Sequence, residues 1–258
     1  MIEQTMNPVL SELIRSGTAV SESGKIHKIH SHIPEEEGLF LKSLVTEFKP
    51  RVSLEVGLAY GVSALFICEG LSQLPDARHI VIDPHQIRPG ATHISFEGVG
   101  LENLRKAGYG SLIEFHDAPS HLALPALVSQ GVKIDFALID GWHTFDFASV
   151  DFFYVDLLLR PGGVVAIDDT DFPSVWKLCR YITSNRAYKV VRCLPAPKTP
   201  VRLSPRVIAS DIATRISRSV SRSIWPLTHN DHLLPYSRCI AFRKEADDTR
   251  SWDFHQRF

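Results

Sequence analysis

Apolar residues fall along this chain in two alternating rhythms, a helical spacing and short unbroken runs. From Pro34 to Lys49, Leu39, Phe40, Leu44, Val45 and Phe48 share one helical face. Glu35, Glu36 and Glu37 then occupy the first turn, where carboxylates complement the positive end of the dipole, and Pro50 closes the helix. Beyond it the pattern repeats. Strands are predicted over 52–56, 79–82, 113–116, 135–139 and 164–167, with helices over 62–74, 97–107, 120–130 and 145–159 between them. Short apolar strands alternating with helices predict an α/β fold, a doubly wound and mostly parallel sheet covered on both faces.

The two ends depart from this alternation. Residues 1–33 form a leading segment with one short helix, 8–15, and a histidine-bearing stretch containing His27, His30 and His32. Those histidines are read as exposed or substrate-side. After a helix over 175–184, two strands (188–194 and 238–243) complete a seven-stranded sheet, and residues 195–235 form an insert between them. Within it Ile208, Ile212, Ile216, Val220 and Ile224 recur every four residues, with Arg215, Arg218 and Arg222 mostly elsewhere. That pattern predicts a basic amphipathic helix serving as a lid, an oligomer contact or a membrane-surface helix. Asp211 interrupts the basic face and no second anchor accompanies it, which favours the first two roles. The whole of 1–258 is read as one domain.

Bulk composition narrows the function classes. Formal net charge is −1, so the chain lacks the basic field on which nonspecific nucleic-acid binding depends. No uncharged apolar run approaches the roughly 20 residues that span a bilayer, and the N-terminus has no secretory pattern. Cys68, Cys179, Cys193 and Cys239 are scattered without a CxxC pair and read as thiols. The expectation is a soluble cytoplasmic protein without stable membrane insertion; homo-oligomerisation is left open.

Two motifs carry chemistry. In the first, the strand SLEV runs into Gly57-Leu58-Ala59-Tyr60-Gly61 and then a helix beginning Val62-Ser63. Glycines at a strand–helix turn admit close approach of a ligand, and the helix N-terminus favours an electronegative group. A plain tight turn explains the glycines equally well. Glu55 sits two residues before Gly57 in an otherwise apolar strand, where its charge needs a partner, such as a cationic ligand or a ligand hydroxyl. Asp83 ends the next strand, where an acid can accept ribose hydroxyls or serve as a turn carboxylate. A nicotinamide fingerprint would have a third glycine where this chain has Ala64. Together these features favour a nucleoside ligand.

In the second motif, the strand DFALID ends in Asp140-Gly141-Trp142-His143, and VVAID ends in Asp168-Asp169-Thr170. Carboxylates gathered on one rim repel unless a cation, partners or protonation relieves them. Oxygen donors of this kind suit a hard ion such as Mg²⁺, and His143 has the titration range of a general base. The alternative is helix capping by the same acids.

The stretch LEVGLAYGVS resembles the first motif of class I S-adenosylmethionine (SAM) methyltransferases, in the catechol O-methyltransferase-like branch. The resemblance covers roughly residues 34–173. It implies that Glu55, Gly57, Leu58, Ala59, Gly61 and Ser63 cradle the amino-acid end of SAM, that Asp83 holds the ribose, and that Asp117 and Ala118 in HDAPS face the adenine. It also implies that Asp140 contacts the cofactor. Ala59 stands where the wider superfamily has a glycine. The branch places a metal-binding Asp three residues before a catalytic Lys; Asp140 and His143 occupy those positions here. The family's Asp-Asn-before-proline patch matches DDTDFP with Asp169 in place of Asn. Metal-dependent macrolide-sugar methyltransferases are similar in placing a histidine base after the metal Asp. The resemblance thus implies Asp140, Asp168 and Asp169 as metal ligands, His143 as base, and a small hydroxylated substrate. A metal-independent N- or O-methyltransferase, a non-catalytic SAM-binding protein and a nicotinamide-dependent oxidoreductase are the competing readings.

Overall fold

A computed structural model describes residues 6–87, 95–195, 234, 237–254, 256 and 258. The chain starts with α1 (Pro8–Ser16), begun by Pro8 in the first turn and an Asn7 side chain that accepts from the Val9 amide. A two-stranded antiparallel hairpin, β1 (Thr18–Val20) and β2 (Ile26–Lys28), follows. Its strands of three residues are too short to carry a legible alternation, and the sequence reading did not anticipate them.

Next come α2 (Glu35–Phe48), β3 (Val52–Val56), α3 (Val62–Leu71), β4 (Arg78–Ile82), α4 (Val99–Lys106), β5 (Ile113–His116), α5 (Ser120–Ser129), β6 (Ile134–Ile139), α6 (Phe145–Leu158), β7 (Leu159–Ile167) and α7 (Pro173–Asn185). The edge is completed by β8 (Tyr188–Pro195) and β9 (Ser237–Lys244). The seven strands run in the order β5-β4-β3-β6-β7-β9-β8, parallel except that β9 is antiparallel to both of its neighbours. This is the expected doubly wound sheet.

Boundaries differ where backbone chemistry overrides periodicity. The helix expected from residue 97 begins at Val99, because Glu97 and Gly98 both take left-handed φ values (51° and 71°). The helix expected to residue 74 stops at Leu71, and Leu74 turns back to donate to the Leu71 carbonyl.

Two apolar layers enclose the sheet. Leu10, Leu41, Leu44, Leu65 and Phe66 belong to the layer carrying α1 to α4, and Leu124, Phe152, Val155 and Leu178 to the layer carrying α5 to α7. A buried polar group ties the last strands to this frame. Asp156 on α6 receives hydrogen bonds from Arg186 and from the Tyr188 hydroxyl (2.6 Å), while Lys244 Nζ donates to the Leu159 carbonyl at 2.9 Å.

Register decides where the site lies. Val56 pairs with Ile82 on one side and Ile139 on the other, and Ile139 pairs with Ile167. The four strands therefore end level, and Gly57, Asp83, Asp140 and Asp168 emerge on one rim. Strand order reverses between β3 and β6, which opens the crevice where such sheets bind ligands. The antiparallel β9 begins at the same rim: Thr170 donates to the Arg238 carbonyl (2.8 Å) and, through its hydroxyl, to the Ser237 carbonyl (2.7 Å). The basic helix expected within 195–235 lies outside the described residues. Among the described residues no helix is long and apolar enough to cross a membrane. Three of the four cysteines are buried and all are free; Cys193 is half-buried.

Candidate active site

The glycine turn is held from below. Gly57 has φ 93°, and a Cβ there would lie 2.2 Å from the Asp140 carbonyl oxygen, so the crossing of the β3 and β6 ends admits only glycine. Gly61 has φ 81° and opens α3, which has no side-chain cap. The first amides of an uncapped helix attract an electronegative ligand group, and the residues here fit a nucleoside cofactor with a carboxylate at this point. Asp83 is buried, and its Oδ2 accepts from the amides of Leu58 and Ala59, each at 3.0 Å, while Oδ1 accepts from the His85 amide at 2.7 Å. The acid expected at the ribose is thus also the clamp of the turn. Gln86, absent from the sequence reading, reinforces it by donating to the Ala59 carbonyl at 2.8 Å and to Asp83 at 3.2 Å.

Ala59 pays for replacing the glycine of the wider superfamily with a left-handed φ of 48°. An alanine in that region costs roughly 1–2 kcal/mol, partly offset because glycine gives the unfolded chain more freedom. Ala59→Gly is expected to stabilise the fold by about 0.5–1 kcal/mol, raising the melting temperature by about 1–4 °C. A lower melting temperature in calorimetry would contradict this account of the turn.

Glu55 finds its partners within the protein. It is fully buried and accepts from Ser63 Oγ through one oxygen and from His79 Nε2, at 2.9 Å, through the other. Asp117 is exposed on the loop after β5, and Ala118 packs on the α5–α7 layer.

The second motif assembles across elements. Asp140, His143 and Asp169 each place one ligand atom within 4.8 Å of the others. His143 Nε2 lies 3.2 Å from Asp169 Oδ2, and its ring stacks on Phe172 at 5.5 Å with 14° between planes. Asp169 adopts a left-handed φ of 50° and is half-buried. Burial, then the charges of Asp168 and Asp169, push the Asp140 carboxyl well above its ordinary range. Burial and the adjacent Asp168 raise Asp169 to about 6, against the pull of His143 and Arg238. Two crowded carboxylates and an imidazole form a donor set that fits a divalent cation.

Asp168 stands outside that trio. It is buried, its Oδ1 accepts from the Asp169 amide at 2.5 Å, and burial together with the neighbouring Glu37 carboxyl raises its pKa well above normal. Glu37 comes from α2 and pairs with Arg238 at 2.7 Å; Arg238 Nη2 also lies 3.5 Å from Asp169 Oδ1. No local signal could have joined Glu37 to Arg238 across 201 positions. The capping alternative for these acids is overturned: Thr144 and Phe172, at the N-caps of α6 and α7, bring no side-chain cap bond, and Asp140, Asp168 and Asp169 cap neither helix.

Of the N-terminal histidines, His27 and His30 lie beside Tyr60 of the glycine turn, while the exposed His32 is near His30 and Arg238. His30 Nε2 is 3.1 Å from the Tyr60 hydroxyl, and His30, Tyr60 and Phe96 pack edge to face or tilted.

Residues 54–170 match the family model of the methyltransferase domain. This match identifies a methyltransferase domain and supports SAM-dependent methyl transfer. The matched span of this methyltransferase contains the glycine turn, Asp83, Asp140, His143 and Asp169. It is 29% identical over 66% of its length to 68% of a putative caffeoyl-CoA O-methyltransferase of Arabidopsis thaliana. It is likewise 29% identical over 56% of its length to 58% of a flavonoid 3',5'-methyltransferase of Vitis vinifera. Its fold is similar to that of an O-methyltransferase from Bacillus cereus solved with S-adenosylhomocysteine, with a TM-score of 0.61 and 16% identity over 76% of this chain and 87% of that one.

Proposed function

We propose that this methyltransferase transfers the methyl group of SAM to a hydroxyl of a small molecule, assisted by Mg²⁺ or a similar divalent ion. The observation that carries this reading is the convergence of Asp140, His143 and Asp169 beside the Gly57 crossing, where the cofactor turn and the acidic rim meet. The names of the plant relatives, which refer to caffeoyl-CoA and to a flavonoid, support a hydroxylated acceptor.

In this reading the Gly57–Gly61 turn and the open N-terminus of α3 bind and orient the amino-acid end of SAM. Asp83 keeps the turn in shape and offers its remaining lone pairs to the ribose, and Asp117 and Ala118 border the adenine. Asp140 and Asp169 would hold the cation, with Asp168 a buried support behind Asp169. Bound there, the cation supplies charge neutralisation and lowers the pKa of an acceptor hydroxyl, while SAM supplies an electrophilic methyl. His143, oriented by Asp169 and its stack on Phe172, takes the proton from the acceptor. Positioning and electrostatics then supply most of the rate.

The closeness of His143 Nε2 to Asp169 favours a second reading, in which His143 is a third ligand. His143→Ala separates the two. A base predicts a fall in turnover of about 10²–10⁴-fold at unchanged metal affinity; a ligand predicts weakened metal binding, read by calorimetric titration with Mn²⁺. Methyl transfer unaffected by EDTA and by His143→Ala, across a panel of phenolic and sugar hydroxyl acceptors, would remove the metal-assisted reading.

A further inference from the structure

Beneath the glycine turn a chain of polar side chains runs through the apolar sheet. Ser53, Glu55 and His79 are each 0% exposed, and Ser63 is 6% exposed. His79 Nδ1 lies 2.8 Å from Ser53 Oγ, His79 Nε2 lies 2.9 Å from Glu55 Oε2, and Ser63 Oγ donates to Glu55 Oε1. Adjacent strands create this line, since Ser53 pairs with His79 and Glu55 with Val81 in the β3–β4 register. His79 lies outside the cofactor motif, four positions before Asp83.

We propose that His79 is a positioning residue for the cofactor's amino-acid end, acting through Glu55; this rests on the SAM-site reading above. An ionised carboxylate only accepts hydrogen bonds, so His79 Nε2 must be the donor to Glu55. Ser53 holds the ring in that orientation: its hydroxyl meets Nδ1 at 2.8 Å and has the Arg78 carbonyl at 3.3 Å as its alternative acceptor. With Ser63 on the other oxygen, both sides of the fully buried Glu55 carboxylate are pinned. That fixed negative charge lies below the turn that receives the cofactor, two residues from Gly57, and Ser63 links it to the first turn of α3. The ammonium group of SAM is the complementary charge. Without His79 the buried carboxylate loses one of its two donors and its fixed orientation, and the turn loses part of its attraction for that ammonium.

The test is calorimetric titration of the whole protein with S-adenosylhomocysteine, which carries the same ammonium, for H79L, H79Q and E55Q. Each variant is first checked for folding by circular dichroism and melting. The amide nitrogen of glutamine reaches the place of Nε2, so H79L is expected to weaken binding about tenfold and H79Q to recover to within about threefold of the wild type. A merely structural histidine would lower the melting temperature and leave affinity unchanged. If E55Q binds as the wild type does, the cofactor role of Glu55 fails and the proposal with it. If E55Q weakens binding and folded H79L does not, the cofactor reading stands and the role of His79 is overturned. Should H79L not fold, H79N takes its place, because its amide is too short to reach Glu55; wild-type affinity in folded H79N overturns the proposal.

Discussion

Replacing Asp140 with alanine is expected to lower metal-stimulated methyl transfer by about a hundredfold or more, with S-adenosylhomocysteine still bound. Asp140 contributes to two features of the site through different atoms. Its carbonyl closes on Gly57, 2.2 Å from where a Cβ would be, and this backbone contact survives the substitution. Its carboxyl faces Asp169 and His143, and that charge is lost. Asp169→Ala is expected to act in the same direction and also to release His143, whose Nε2 it orients at 3.2 Å. Removing Asp169 relieves the crowding of carboxylates, but alanine tolerates the left-handed φ of 50° less well than aspartate does, so the two effects oppose one another and stability should change little while activity falls. The measurement is radiolabelled methyl transfer against added Mg²⁺, beside a cofactor titration and a melt for each variant. Full metal-stimulated turnover in both variants would sink the assignment of these acids.

Gly57→Ala is expected to cost about 3–4 kcal/mol. A left-handed φ accounts for roughly 1–2 kcal/mol of this. The remainder comes from forcing apart a packed contact, which typically costs about 1–3 kcal/mol. The added methyl meets the backbone of Asp140 and Gly141 just beyond β6, which no side-chain rotation can relieve. The melting temperature should fall on the order of 10 °C, and cofactor affinity should fall with it as the Asp140 segment shifts. Gly98→Ala is the control. It has φ 71° but nothing within 4 Å of the added Cβ, so it isolates the cost of the dihedral. Equal losses in the two variants would show that the crossing does not demand glycine.

Much of the site was legible because strand ends concentrate it. The alternation of apolar runs with helical spacing placed β3, β4 and β6 within a residue of their observed limits and the end of β7 correctly, though β7 starts five residues earlier than expected; each run ended in the residue that matters: Val56 before Gly57, Ile82 before Asp83, Ile139 before Asp140, Ile167 before Asp168. What was not legible depends on pairs distant in sequence. The clamp on the turn needs Gln86 and Asp83 to meet Ala59, and the buried line from Ser53 to Ser63 needs His79 from the neighbouring strand. Arg238 reaches Glu37 and Asp169 only because β9 runs antiparallel beside β7. The short hairpin of β1 and β2 escaped for a different reason, being too brief to show a period.

By itself the sequence determined the class of fold, the glycine turn after β3 and the acids available at the rim. These follow from local terms: hydrophobic period, glycine where φ must be positive, and a charge at the end of an apolar strand. Only the tertiary structure decided which acids act together. Asp168 and Asp169 are neighbours in sequence, yet Asp168 is turned into the protein beside Glu37 while Asp169 joins Asp140 and His143. The left-handed backbone at Asp169 and the register of four strands set that division. Electrostatic coupling depends on distance in space, and that distance exists only once the sheet has formed.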